Sequence, residues 1–115
     1  MLKEKKLLIL GKVWPEPKSS AAGSRMMQLI DCFLQDGWSI TFASAANQSD
    51  FCETLEHRPI KTVAIKMNDS AFDDFVQALN PDVVLFDRFM TEEQFGWRVA
   101  EQCPDAVRVL DMEDL

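Results

Sequence analysis

No stretch of this sequence approaches the ~18–20 consecutive apolar residues that a membrane-spanning helix requires. The basic segment Met1 to Lys6 is followed by an apolar run of only Leu7 to Leu10, too short for the core of a signal peptide. A cytoplasmic protein without a transmembrane segment is therefore expected. Cysteine and histidine are scarce: Cys32, Cys52 and Cys103 are widely spaced, no CxxC occurs, and His57 is the only histidine. A structural zinc site needs about four such ligands in tight spacing, so none is expected, and the cysteines read as reduced thiols. Positive charge is also short, with 12 Lys and Arg against 19 Asp and Glu and a formal net charge of −7. That balance speaks against nucleic acid, whose phosphates call for a basic face. Only four glycines are present. They form neither the GxGxxG dinucleotide fingerprint nor the GxxxxGK[ST] phosphate loop, which weakens a stand-alone nucleotide-binding enzyme.

What is present is enough for one domain with a core: 115 residues, 47% hydrophobic and 27% charged. Two runs, Leu7 to Leu10 and Val83 to Phe86, are apolar at every position. Such runs suit strands buried on both faces in the middle of a parallel sheet. Between them the chain alternates. Lys6 to Gly11 is the first strand, and a loop holding Pro15 and Pro17 follows. A helix then carries Met26, Leu29, Ile30, Phe33 and Leu34 at helical spacing, with Ser20 or Ser24 as its cap and Asp36-Gly37 as its stop. Trp38 to Ser44 is the second strand. One or two helical turns are expected over Asp50 to Glu56, and Thr62 to Lys66 is a more alternating strand placed at an edge. Ser70 with Asp73 has the pattern of a capping box for a helix ending at Asn80-Pro81. Val83 to Arg88 is the fourth strand. Thr91 with Gln94 reads as a second capping box for a helix to about Gln102, and Ala106 to Leu110 is the fifth strand. This alternation predicts an α/β fold, a doubly wound open sheet of five parallel strands in the order 3-2-1-4-5 with helices on both faces.

In such sheets ligands gather at the carboxyl ends of the strands, where the order reverses. Three segments reach that edge: Lys12 to Ser24, Asp87 to Met90 and Asp111 to Asp114. Gly23, Ser24 and Arg25 open a helix, where backbone N–H groups favour anions; a serine-capped loop is the plain alternative. Asp87 and Arg88 read equally as a strand-end ion pair or as ligand contacts. Asp111, Glu113 and Asp114 form an acidic cluster fit for acid–base work or for a metal ion, with a solvated chain terminus as the plain alternative. The methionines read as packing. Trp14, in the proline loop, is expected to be exposed and to stack on a flat ligand; Trp38 and Trp97 read as structural.

The order of these features resembles the N-terminal domain of GT-B glycosyltransferases of the retaining, nucleotide-sugar-dependent kind. The resemblance rests on Leu7 to Leu10, Pro15 and Pro17, Ala22-Gly23-Ser24-Arg25, the helix ending at Gly37, Asn80-Pro81-Asp82-Val83-Val84, and Val109-Leu110-Asp111-Met112-Glu113-Asp114-Leu115. It spans nearly the whole chain, with motifs individually weak and jointly more specific. It implies a single Rossmann-like domain over residues 1–115, the acceptor-side half of a two-domain enzyme whose C-terminal domain holds most of the donor. It also implies Gly23, Ser24 and Arg25 near the donor diphosphate, and Trp14, Asp87, Arg88 and Phe89 on the acceptor side. The partners it implies are a nucleotide-sugar donor and a sugar or lipid-linked acceptor, the latter drawing the full-length enzyme to the inner membrane. No resident cofactor or metal is expected. Where the family commonly has a histidine beside the transferred sugar, this chain has Glu113, so Glu113 and Asp114 stand only as weak catalytic candidates and the catalytic residue is unassigned. The half-enzyme is expected to be inactive alone.

The alternative is a non-catalytic, flavodoxin-like binding or interaction module. A phosphate-receiver domain within that class is disfavoured. Gly11-Lys12-Val13 lacks acids after the first strand, and the third strand ends in Lys66-Met67 rather than in an aspartate.

Overall fold

The computed structural model describes residues 4–12, 14, 21–46 and 59–111, with the backbone alone for 21–24. Five strands form one sheet: β1 (Lys6–Gly11), β2 (Ser39–Ser44), β3 (Lys61–Ala64), β4 (Val83–Asp87) and β5 (Val107–Asp111). All pairings are parallel and the order is β3-β2-β1-β4-β5. Three helices are described: α1 (Ala21–Gln35), α2 (Ala71–Leu79) and α3 (Phe89–Gln102). The short helix expected over Asp50 to Glu56 lies outside the described residues.

The two uniformly apolar runs take the centre, as their lack of alternation requires. Leu7, Leu8, Ile9 and Leu10 are each essentially inaccessible, and burying such a side chain is worth about 1.5–3 kcal/mol. The odd-numbered pair, Leu7 and Ile9, packs with Met26, Ile30, Phe42 and Leu85 beneath α1. The even-numbered pair, Leu8 and Leu10, packs with Val76, Phe86, Phe95 and Val99 beneath α2 and α3. The sheet is therefore covered on both faces by helices from different parts of the chain, which is the doubly wound arrangement.

Edges are marked by local chemistry. β3 is only part-buried, as its alternation predicts. Gly37 ends the α1 turn at φ 83°, the left-handed region that costs glycine little. Asn80 closes α2 at φ 49° and its N–H donates to the Val76 carbonyl. On the register Val83↔Val107 and Leu85↔Val109, Val107 and Val109 share the α1 face with β4. Both remain exposed, because α1 packs over β2 and the centre of the sheet rather than over β5.

Several local expectations are corrected. Helix α1 begins at Ala21, so Ser24 sits in its first turn and does not cap it. Neither capping box forms. Ser70 is helical (φ −64°) without a side-chain cap, and the Asp69 carboxylate takes the Ala71 N–H instead at 2.8 Å. Helix α3 starts at Phe89, two residues before Thr91, which is consequently a buried helical residue. Trp38 is structural as expected, edge-on to Phe33 at 5.2 Å. Trp97 is not: it is 53% exposed, with the Arg98 guanidinium 4.5 Å from its ring centre.

Candidate functional site

Parallel strands bring all five carboxyl ends to one edge. There β1 passes to α1 on one face, and β4 passes to α3 on the other, opening a crevice between the two connections. On the α1 face, Asp87 and Asp111 stand opposite each other at the ends of β4 and β5. Two carboxylates side by side repel, and Arg25 answers them: its Nη2 lies 3.4 Å from Asp111 Oδ1. Arg25 projects into solvent while the Asp111 side chain is largely covered. Asp87 is only 7% exposed. Arg25, Asp87 and Arg88 all have interaction partners.

Arg88 has the least comfortable backbone described. It occupies φ 79°, ψ 152° at the Ncap of α3, a region populated almost solely by glycine and costing a side-chain-bearing residue of order 1–3 kcal/mol. Its N–H donates to the Asp111 carbonyl at 2.8 Å, which ties the β4–α3 turn to the end of β5. The turn so held presents Phe89, half exposed, at the first position of α3. Gly23 and Ser24 lie in the first turn of α1, whose leading N–H groups have no acceptor within the helix.

Trp14 is a clear departure from expectation. It is 3% exposed, lies 5.5 Å from the Phe42 ring, and its indole N–H donates to the Ala46 carbonyl at 3.2 Å. Its polar tip is satisfied and its face is covered, so Trp14 itself packs at the end of β2. Glu113 and Asp114 lie outside the described residues; Asp111 of the same acidic cluster meets Arg25.

On the opposite face, at the same edge, lies a hollow of about 320 Å³ between Gly11, Lys12, Ala46, Met67, Met90 and Phe95. Thr91 and Gln94 complete its polar part. Lys12 Nζ approaches Met90 Sδ at 3.7 Å. Met67 and Met90 are 51% and 50% exposed, so the expectation that the methionines are packing residues fails for these two. Sequence reading missed this hollow. Lys12 could have been found, since it follows directly on the glycine that ends a strand. That Met67 and Met90 border one hollow depends on the sheet order and on the true start of α3.

Among the described residues no group of three His, Cys, Asp or Glu could hold a metal ion, and no helix is long and apolar enough to cross a membrane. Burial pushes the Cys103 thiol up from its ordinary range, and its S–H donates to the Val76 carbonyl at 3.4 Å. This thiol lies beneath α2, away from the carboxyl edge. No family model matches the chain, and no curated protein matches it.

Proposed function

We propose that the chain is the acceptor-side domain of a nucleotide-sugar-dependent glycosyltransferase, with the carboxyl edge of β1, β4 and β5 as one wall of the active cleft. The observation that carries this reading is the convergence at that edge. Arg25 from the first turns of α1 meets Asp111 at the end of β5, and Arg88 is held in a strained turn bonded to the same residue. Strained backbone persists where the surroundings over-determine it, and such positions cluster at functional sites. In this reading Arg25 and the first turn of α1, with Gly23 and Ser24, face the donor diphosphate. An arriving phosphate competes with Asp111 for the Arg25 guanidinium. Asp87, Arg88 and Phe89 line the acceptor side, and Glu113 and Asp114 remain candidates for the chemistry. The enzyme works in the cytoplasm, and a lipid-linked acceptor brings it to the inner membrane.

The chain supplies one wall, so it binds donor weakly and transfers no sugar alone. Isothermal titration of the isolated chain with UDP-, GDP- and ADP-sugars tests this. Dissociation constants in the millimolar range are expected, corresponding to about −4 kcal/mol. Micromolar binding to the single domain would refute the half-site reading.

A second reading, a non-catalytic binding module of flavodoxin-like fold, is favoured by one observation. Trp14, the ring best suited by sequence to stack on a sugar, is spent on packing against Phe42.

A further inference from the structure

We infer that the hollow between Lys12, Met67 and Met90 is a binding site for a small amphipathic monoanion, a carboxylate with a flexible apolar body. It lies on the α2–α3 face of the sheet, opposite the Arg25–Asp111 pair, and does not depend on sugar transfer.

Three independent features agree on the ligand. The first is size. At about 320 Å³ the hollow sits at the lower end of the roughly 300–1,000 Å³ of small-molecule sites, which suits a ligand smaller than a nucleotide sugar. The second is the apolar lining. Phe95 is buried at the base, Ala45 and Ala46 border it, and two half-exposed methionines stand at its rim. Methionine is unbranched, flexible and polarizable, so a pair at a rim can close on apolar chains of varied shape. Met67 and Met90 are two of the large apolar side chains this protein leaves in water, and both border the same hollow.

The third feature is charge. Lys12 brings an ammonium to this apolar mouth, and among the described residues its polar neighbour is the Met90 thioether. A thioether is a weak acceptor and carries no charge to balance the cation. In a chain of formal charge −7, a lysine set over apolar surface with no carboxylate at its tip among the described residues is a local exception. The first turn of α3, including Met90 and Thr91, borders the same mouth and adds the positive end of its dipole. An anion with an apolar tail satisfies both: the tail displaces water from the methionines and Phe95, and the head group pairs with Lys12. A single ammonium favours one negative charge over the two or more of a nucleoside diphosphate.

The test uses the full chain and straight-chain probes of matched length, read by amide and methionine-methyl chemical shifts. Octanoate is expected to bind saturably, with shifts gathered at Gly11, Lys12, Met67, Met90 and Thr91. Octanol and octylamine, which share the tail, are expected to bind at least about tenfold more weakly, the worth of one charge-assisted contact. Shortening the acid to butanoate should weaken binding by about fourfold for each buried methylene lost. Lys12 is exposed, so Lys12→Glu leaves the fold intact; it should cost octanoate about tenfold or more, with Lys12→Arg retaining binding. Equal binding of octylamine or octanol, shifts that fall away from the hollow, or an unchanged octanoate affinity in Lys12→Glu would each overturn the assignment. No nucleotide enters the experiment, so its failure leaves the glycosyl-transfer reading where it stands, and its success does not prove that reading.

Discussion

Arg88 is the residue on which sequence and structure meet most usefully. Its position after a buried strand marks it as an edge residue, but nothing in the sequence announces that it adopts φ 79°. Glycine would do so without strain, and the chain has an arginine there instead. This predicts a separation of stability from function. Arg88→Gly should be more stable than Arg88→Ala by about 1–2 kcal/mol, because both remove the guanidinium and only glycine relieves the backbone. Chemical denaturation of the two variants measures this, and equal midpoints would mean that the turn is not strained. A second prediction concerns the thiols. Cys103 is buried and its thiol is held protonated, whereas Cys32 is exposed. In a Cys52→Ser background, mass spectrometry after brief iodoacetamide treatment should find Cys32 alkylated and Cys103 intact until denaturant is added. The sign of the linkage follows from the raised value: a thiol that holds its proton more tightly when folded contributes stability below its unfolded range. That contribution is lost as pH climbs above it.

Among the elements, the helices pack through one tie that the periodicity could not reveal. Arg98 Nη1 of α3 lies 2.8 Å from Asp73 Oδ2 of α2, with the two side chains 12% and 24% exposed. Removing one member of such a pair leaves the other charge partly buried without its counter-ion. Asp73→Ala is therefore expected to cost roughly 2 kcal/mol, less than a fully buried pair because water reaches both groups. Replacing both residues, Asp73→Ala with Arg98→Met, should recover part of that loss. Thermal unfolding of the single and double variants decides this, and strict additivity would show that the two residues are uncoupled. The strands were legible because burial on both faces leaves an unmistakable run, as at Leu7 to Leu10 and Val83 to Phe86. Helix starts were not. The capping-box pattern occurs at Ser70 and Thr91, yet Asp69 caps one helix and the strained Arg88 precedes the other. Local hydrogen-bond patterns compete with tertiary placement, and here the turn after β4 is fixed by its bond to Asp111.

At the scale of the whole molecule, the sheet order was readable because only the two fully apolar strands could sit at the centre. The carboxyl edge followed from it, and with it the gathering of Arg25, Asp87, Arg88 and Asp111. Trp14 departs from expectation for a physical reason: prolines nearby mark a loop, but they do not say whether a given side chain within it turns inward, as Trp14 does against Phe42. The hollow at Lys12 was invisible for another reason, since its walls come from the ends of β1 and β2, from Met67 after β3 and from α3, which meet only when the sheet is assembled. In the proposed reading, the formal charge of −7 works against an anionic donor, and the cations at the edge would supply the local attraction.

The central claim, that ligands of the nucleotide-sugar class approach the α1 side of the carboxyl edge, is tested most directly by amide chemical-shift mapping. UDP-, GDP- and ADP-sugars would be titrated into the chain at millimolar concentration. The predicted result, for at least one of these donors, is a set of shifts centred on Arg25, Asp87, Arg88, Phe89 and Asp111, abolished by Arg25→Ala. Shifts centred on the amino edge at Asn80 to Asp82 and Pro104 to Ala106, or no shift with any of the donors, would contradict it.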